Sequence, residues 1–180
     1  NVMLGYYNDP GLTKSAFDAD GWFRTGDIGH IEEGKFLMVT DRKKEIFKLS
    51  NGKFIAPQRV ENIFKESPAI DQLMVIGEHG KFASALISPN FKYFEDWKTA
   101  RKVNYSNNEE LITLPEVLAF FSSEVNKMNK RLSPPERINR FRLVKDEWSP
   151  ATGELSPTLK LRRKFIHEKY SAVVEQVYNK

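Results

Sequence analysis

Four stretches of this chain hold residues whose type and setting could do chemistry. Asp27 follows Thr25-Gly26, and a carboxylate on a tight turn can accept two hydrogen bonds from a vicinal diol, as a ribose offers. An Asx-turn or a helix cap would use the same residue. Arg42 lies in the charged run Asp41-Arg42-Lys43-Lys44-Glu45. Its guanidinium is a planar fork of donors suited to hydroxyls and phosphates, and a surface ion pair with Asp41 or Glu45 is the plainer use. Gly52, in Ser50-Asn51-Gly52-Lys53, lets backbone approach a ligand closely, and it serves a type I′ hairpin turn equally well. Lys160 stands in Ser156-Pro157-Thr158-Leu159-Lys160-Leu161, where the pattern predicts the start of a helix. An ammonium is electrostatically unfavoured at that positive end, so a plain surface lysine fits the place poorly.

The elements that must position these residues follow from periodicity and turn chemistry. Residues 13–17 read as a short helix after Pro10-Gly11, and 28–31 with 36–40 as a hairpin around Glu33-Gly34. A smaller hairpin, 45–48 with 53–55, turns at residues 50–52. Pro57 suits the first position of a helix, where its missing N–H is no loss, and Val60, Ile63 and Phe64 then share a face. Residues 73–76 and 83–87 read as apolar strands, 91–102 as a helix and 104–108 as a polar loop. Val117, Leu118, Phe121, Val125, Met128 and Leu132 form one helical stripe, stopped by Pro134-Pro135. Residues 138–144 read as a strand, 149–157 as a loop, and 161–178 as one last helix. Short strands and helices alternating with hairpins predict an α+β fold, with a boundary at residues 41–44.

Composition narrows the classes. The chain has 180 residues and a net charge of +4, with 13 Phe, 6 Tyr and 3 Trp, too aromatic for general disorder. It has no cysteine, so no disulfide framework is available and a cytoplasmic setting is allowed. No apolar run approaches the ~20 residues that span a bilayer. Asn1 is not an initiator methionine, and the start reads as a truncation. Residues 1–90 hold 11 Lys/Arg against 12 Asp/Glu, and residues 91–180 hold 17 against 12. The basic excess, at 127–142 and 160–169, leaves solvated helix faces or contact with an anionic membrane surface open. His30, His79 and His167 lack ligand spacing, so no metal site is predicted, and no Gly-x-x-x-x-Gly-Lys-Ser/Thr phosphate loop is present.

Taken together, Asp20-Gly-Trp-Phe-Arg-Thr-Gly-Asp27, the run from Asp41 to Pro57, and the Ser-Pro-Thr-Leu-Lys160 segment resemble the late motifs of the acyl-adenylate-forming enzymes. The nearest branch is the long-chain fatty acyl-CoA synthetases. The resemblance covers nearly the whole chain. It implies that residues 1–40 are the end of the large N-terminal domain, a β subdomain. Residues 41–180 would be the mobile C-terminal lid, a small mixed sheet packed by helices. It implies an ATP-dependent fatty acid–CoA ligase that first makes acyl-AMP and then the CoA thioester.

On that resemblance, Asp27 and Arg42 hold the ATP ribose, Lys44 is the hinge, Gly52 belongs to the loop lining the CoA channel, and Lys160 is the catalytic lysine of adenylation. Many relatives place Gly just before this lysine, where this chain has Leu159. The fatty-acid tunnel, the phosphate loop and the Mg2+ ligands would lie in the N-terminal domain. The implied partners are fatty acid, ATP, CoA and that domain. Nucleic acid is not expected, and the oligomeric state is left open. Alternatives are a medium-chain or aryl acid ligase, a peptide-synthetase adenylation domain, or a non-catalytic basic binding module.

Overall fold

The computed structural model describes residues 2–43, 45–101 and 103–178, and leaves the side chains of residues 40–42 outside that description. The chain divides into two units, Asn1–Glu45 and Ile46–Lys180.

In the first unit, helix α1 (Pro10–Ala16) is capped by Asp9, whose carboxylate accepts from the Leu12 N–H at 2.8 Å. The helix begins earlier than its periodicity predicts because Asp9-Pro10 is itself a start signal. Strands β1 (Asp27–Glu32) and β2 (Phe36–Arg42) form an antiparallel hairpin with a bulge between Ile28 and Gly29. Glu33 and Gly34 both have positive φ, and the Lys35 N–H donates to the Glu32 carbonyl, which is type I′ geometry. No described residue of this unit is buried. Ile31, Phe36, Leu37 and Val39 are exposed along the hairpin.

The second unit opens with strands β3 (Phe47–Lys48) and β4 (Phe54–Ile55), followed by helix α2 (Pro57–Phe64). Strands β5 (Ile70–Ile76) and β6 (Ser84–Pro89) come next, then helices α3 (Phe91–Arg101), α4 (Asn108–Leu111) and α5 (Pro115–Asn129). Strand β7 (Arg140–Leu143) and helices α6 (Arg163–Lys169) and α7 (Ser171–Tyr178) complete it. β5 and β6 are antiparallel, β6 and β7 parallel. The central sheet is therefore mixed, with β6 in the middle.

Side-chain alternation along the strands explains why both faces of this sheet are covered. Leu73, Val75, Ala85 and Ile87 point into one core with Val60, Phe64, Phe94 and Phe121. Met74, Ile76 and Leu86 point into another with Trp148, Ile166, Tyr170, Val174 and Val177. A strand buried on both faces reads as an unbroken apolar run, as Leu73–Ile76 does.

Three expectations need correction. The loop expected at 104–108 contains the cap of α4: the Asn107 side chain accepts from the Glu110 N–H at 2.9 Å. Helix α5 ends at Asn129, ahead of the prolines, which form a 3-10 turn, Pro134–Glu136. The single last helix is two helices, broken at Tyr170 (φ −106°, ψ 23°). The Tyr170 hydroxyl is tied down there, donating to Asp146 Oδ2 at 2.8 Å and accepting from Trp148 Nε1 at 3.2 Å.

Candidate functional site

Asp27 opens β1, just after Gly26 at φ +77°. Its N–H donates to Thr25 Oγ1 at 3.1 Å, and the Lys43 N–H reaches back to the Gly26 carbonyl at 2.8 Å. Asp27 is exposed, and the strand register sets it opposite Arg42. The two residues expected to share one ligand are thus neighbours across the hairpin. The Arg42 side chain, and the whole of Lys44, the expected hinge, lie outside the described residues.

Gly52 turns β3 into β4. Its N–H donates to the Leu49 carbonyl at 2.9 Å, and the Leu49 N–H to the Lys53 carbonyl at 2.8 Å. Gly52 has φ +84°, whereas Asn51 is not at positive φ. This is a three-residue loop ending in a left-handed glycine, rather than the two-residue type I′ turn. A second turn braces it: the His79 N–H donates to the Lys48 carbonyl and the Ser50 N–H to the Gly80 carbonyl.

Lys160 closes a hairpin with the same wiring. The Leu159 N–H donates to the Ser156 carbonyl and the Ser156 N–H to the Lys160 carbonyl, each at 2.8 Å. The residue at the left-handed position is Leu159, φ +59°. Lys160 therefore sits on a loop, not at the predicted helix start; α6 begins only at Arg163. Lys160 is exposed and, among the described residues, its ammonium makes no hydrogen bond or ion pair. That leaves a cation free to meet an anion that arrives from outside the unit.

Both ends of this hairpin are anchored in buried polar contacts. Leu155 and Leu161 form a bridge, and the Arg162 N–H donates to the Glu154 carbonyl at 2.8 Å. The Glu154 side chain is fully buried and accepts from the Lys169 ammonium. Burial works to raise its pKa, but the Lys169 contact together with hydrogen bonds from Thr152 and the backbone outweighs it and holds the carboxyl below the usual range. On the other side, Arg163 Nη1 and Nη2 donate to Glu61 Oε1 and Oε2 at 2.7 and 2.9 Å. Glu61 also accepts from the Val75 N–H at 2.9 Å. Here burial dominates and pushes the carboxyl up, against the pull of Arg163.

None of these four anchoring residues was singled out from sequence. Glu61 left a signal: it falls with Pro57, Val60 and Phe64 on the buried face of α2, where a charge needs a partner. Among the described residues no group of three or more His, Cys, Asp or Glu side chains converges on a point that could hold a metal ion. None of their helices is long and apolar enough to cross a membrane.

A mixed three-stranded sheet with helices on both faces, carrying an exposed lysine on an anchored hairpin, defines an α+β domain. The profile of the AMP-binding enzyme C-terminal domain matches residues 44–180, and the chain belongs to that family. It is 38% identical over 99% of its length to the long-chain-fatty-acid–CoA ligase FadD15 of Mycobacterium tuberculosis, covering 30% of that protein. It is 32% identical over 99% of its length to human long-chain-fatty-acid–CoA ligase 6, covering 26% of it. The chain thus spans under a third of the curated relatives it matches and resembles their C-terminal region. Among solved structures, the adenylation domain of a carboxylate reductase from Mycobacterium chelonae is similar, with a TM-score of 0.78 at 25% identity, over 97% of this chain and 26% of that one.

Proposed function

We propose that this chain is the C-terminal part of an ATP-dependent long-chain fatty acid–CoA ligase, with residues 1–40 ending the large domain and 41–180 forming its lid. The hairpin β1–β2, with its exposed apolar side chains and no buried residue of its own, supports the first part. The observation that carries the catalytic part is Lys160, held out on a hairpin whose ends are fixed while its ammonium is unengaged.

In this reading a fatty carboxylate oxygen attacks the α-phosphorus of ATP and the bond to pyrophosphate breaks, leaving acyl-AMP. Asp27 and Arg42 hold the ribose. Lys160 offsets the negative charge that gathers between carboxylate and α-phosphate as they react. The lid then turns about Lys44 and brings the Gly52 loop to line the CoA channel. The CoA sulfur attacks the acyl carbon and AMP leaves. Mg2+ would be held by the large domain, so no step is assigned to it here. The basic stretches at 127–142 and 160–169 would lie near an anionic membrane surface, which vesicle sedimentation in rising salt would show. The likeness to a carboxylate reductase adenylation domain supports the wider class of adenylate formers. A panel of long-chain, medium-chain and aryl acids offered to the full-length protein separates these.

The decisive experiment splits the half-reactions. Lys160→Ala in the full-length protein is expected to slow acyl-AMP formation by roughly 10²–10³-fold, the scale for losing one preorganised charge-stabilising group. Thioester formation from supplied acyl-AMP should change far less. Lys44→Pro, which fixes φ, should do the reverse. Equal loss of both steps in both variants, at unchanged melting temperature, would refute the alternation.

A further inference from the structure

We propose that the pair of buried Glu61 and half-buried Arg163 is a positioning contact that sets the Lys160 hairpin for acyl-AMP formation and ties it to the helix behind the Gly52 turn. The inference rests on the role given to Lys160 above.

Glu61 and Arg163 are 102 residues apart in sequence, yet each lies on the first helix after one of the two functional turns. Glu61 is in α2, which starts two residues after β4 leaves the Gly52 turn. Arg163 is the first residue of α6, three positions after Lys160. The Glu61 carboxylate is fully used: Oε1 accepts from Arg163 Nη1 and the Val75 N–H, and Oε2 from Arg163 Nη2. Val75 is inside β5, an edge strand of the central sheet, so the carboxylate is fixed to the sheet. A two-pronged fork fixes the plane of the guanidinium as well as its distance. Through Arg163 it fixes the backbone at the exit of the Lys160 hairpin.

The pair is a poor choice for stability alone. A cation on the first residue of a helix opposes the helix dipole. Burying the Glu61 charge, and much of the Arg163 charge, costs desolvation that their attraction only partly returns, and apolar replacements of such pairs are often neutral or better. What an apolar pair would not supply is a directional tie between α2, β5 and the start of α6. The Lys160 ammonium has no hydrogen bond or ion pair among the described residues to hold it, so its placement depends on the ends of its hairpin. The entry end has Glu154 with Lys169, and the exit end has Arg163 with Glu61. With its exit tied through Glu61 to β5 and its entry tied to α6, the Lys160 turn keeps a constant separation from the Gly52 turn, which a single rotation of the lid requires if it is to exchange one for the other.

The test is a double-mutant cycle in the full-length protein, measuring acyl-AMP formation by pyrophosphate release and thioester formation from supplied acyl-AMP. Arg163→Met should slow acyl-AMP formation by roughly 10²-fold, the scale of a small misplacement of a reacting group. Glu61→Gln, which keeps one acceptor oxygen, should slow it by roughly tenfold on the same scale. Thioester formation should change by less than about threefold, well inside that scale. In the Lys160→Ala background neither substitution should slow acyl-AMP formation further, because the lysine they position is gone. A purely structural role would not produce that non-additivity.

Multiplying losses in the double variants, or equal loss of both half-reactions, would overturn the proposal. If Arg163→Met lowers the folded fraction, the Glu61→Gln cycle decides alone. A Lys160→Ala variant that forms acyl-AMP at the parent rate would overturn the role of Lys160, and this inference with it. A slow Lys160→Ala variant with additive partners would overturn the inference only.

Discussion

Glu61 and Glu154 are buried carboxylates on the two sides of one hairpin, and their environments push them in opposite directions. That difference is measurable as stability against pH. At Glu61 burial outweighs Arg163, so the folded-state pKa lies above 4.5. The folded chain then holds this proton more tightly than the unfolded chain. The contribution of Glu61 is fully present below pH 4.5 and is lost as pH rises through the folded pKa. The amide in Glu61→Gln does not titrate. Its NH2 group replaces one of the two oxygens that face Arg163 and the Val75 N–H, so this variant should begin about 1 kcal/mol below the parent at pH 4.5, the net worth of a hydrogen bond.

That gap should shrink as pH rises, because only the parent accumulates a buried charge. In a unit of about 135 residues, 1 kcal/mol corresponds to roughly 3–4 °C in melting temperature. Glu154→Gln should behave in the opposite sense. The folded pKa of Glu154 is lowered, so its contribution is present above pH 4.5 and lost on acidification. The penalty for that variant therefore grows with pH. Urea melts at pH 4.5, 6 and 8, followed by tryptophan fluorescence, measure all of this. A Glu61→Gln penalty that widens towards pH 8, in parallel with Glu154→Gln, would mean that Arg163 outweighs burial and would refute the reasoning.

Gly153 has φ +97°, and a Cβ there would lie 2.9 Å from Phe165 Cζ, so Gly153→Ala should lower stability by about 2 kcal/mol, seen as an earlier urea midpoint. Leu159→Asn should raise the melting temperature by roughly 2–4 °C, since asparagine tolerates the left-handed conformation that costs leucine about 1 kcal/mol; acyl-AMP formation by the full-length protein should be retained. Polypeptide 1–180 by itself should bind ATP in the millimolar range, about 4 kcal/mol, and form no palmitoyl-CoA from ATP, CoA and palmitate. Micromolar binding by calorimetry would mean the nucleotide site is misplaced.

Much of the fold was legible because each element carries its own local cause. Pro57 starts α2 and Glu33-Gly34 turns the first hairpin. The stripe from Val117 to Met128 buries one face of α5. What was not legible depends on contacts distant in sequence. At the break, the Tyr170 hydroxyl is bonded to Asp146, 24 residues away, a contact that no local periodicity records. The end of α5 was placed too late because Leu132 continues the apolar stripe and is buried although the helix has already ended. The candidate site divides in the same way. Asp27, Gly52 and Lys160 could be singled out because each sits by a turn signal or in a motif. Glu61, Glu154, Arg163 and Lys169 act only in pairs that join distant segments.

Leu159 shows how a departure in sequence can leave geometry unchanged. Many members of the wider family have glycine before the lysine, whereas Ser-Pro-Thr-Leu-Lys looks like the long-chain form. Position 159 is left-handed, φ +59°, the conformation that glycine takes without steric cost. The wiring that holds it, from Ser156 to Leu159 and from Ser156 to Lys160, is repeated at Leu49, Gly52 and Lys53. There glycine is present. Two turns with one hydrogen-bond pattern can therefore carry different residues at the same conformational position. The leucine costs about 1 kcal/mol, and a non-glycine residue persists at such an angle only where its surroundings over-determine the backbone. The Leu155–Leu161 bridge and the two anchored ends supply that constraint. The hairpin is thus set by its closure and not by residue 159, and Lys160 keeps its place at the exit of the turn.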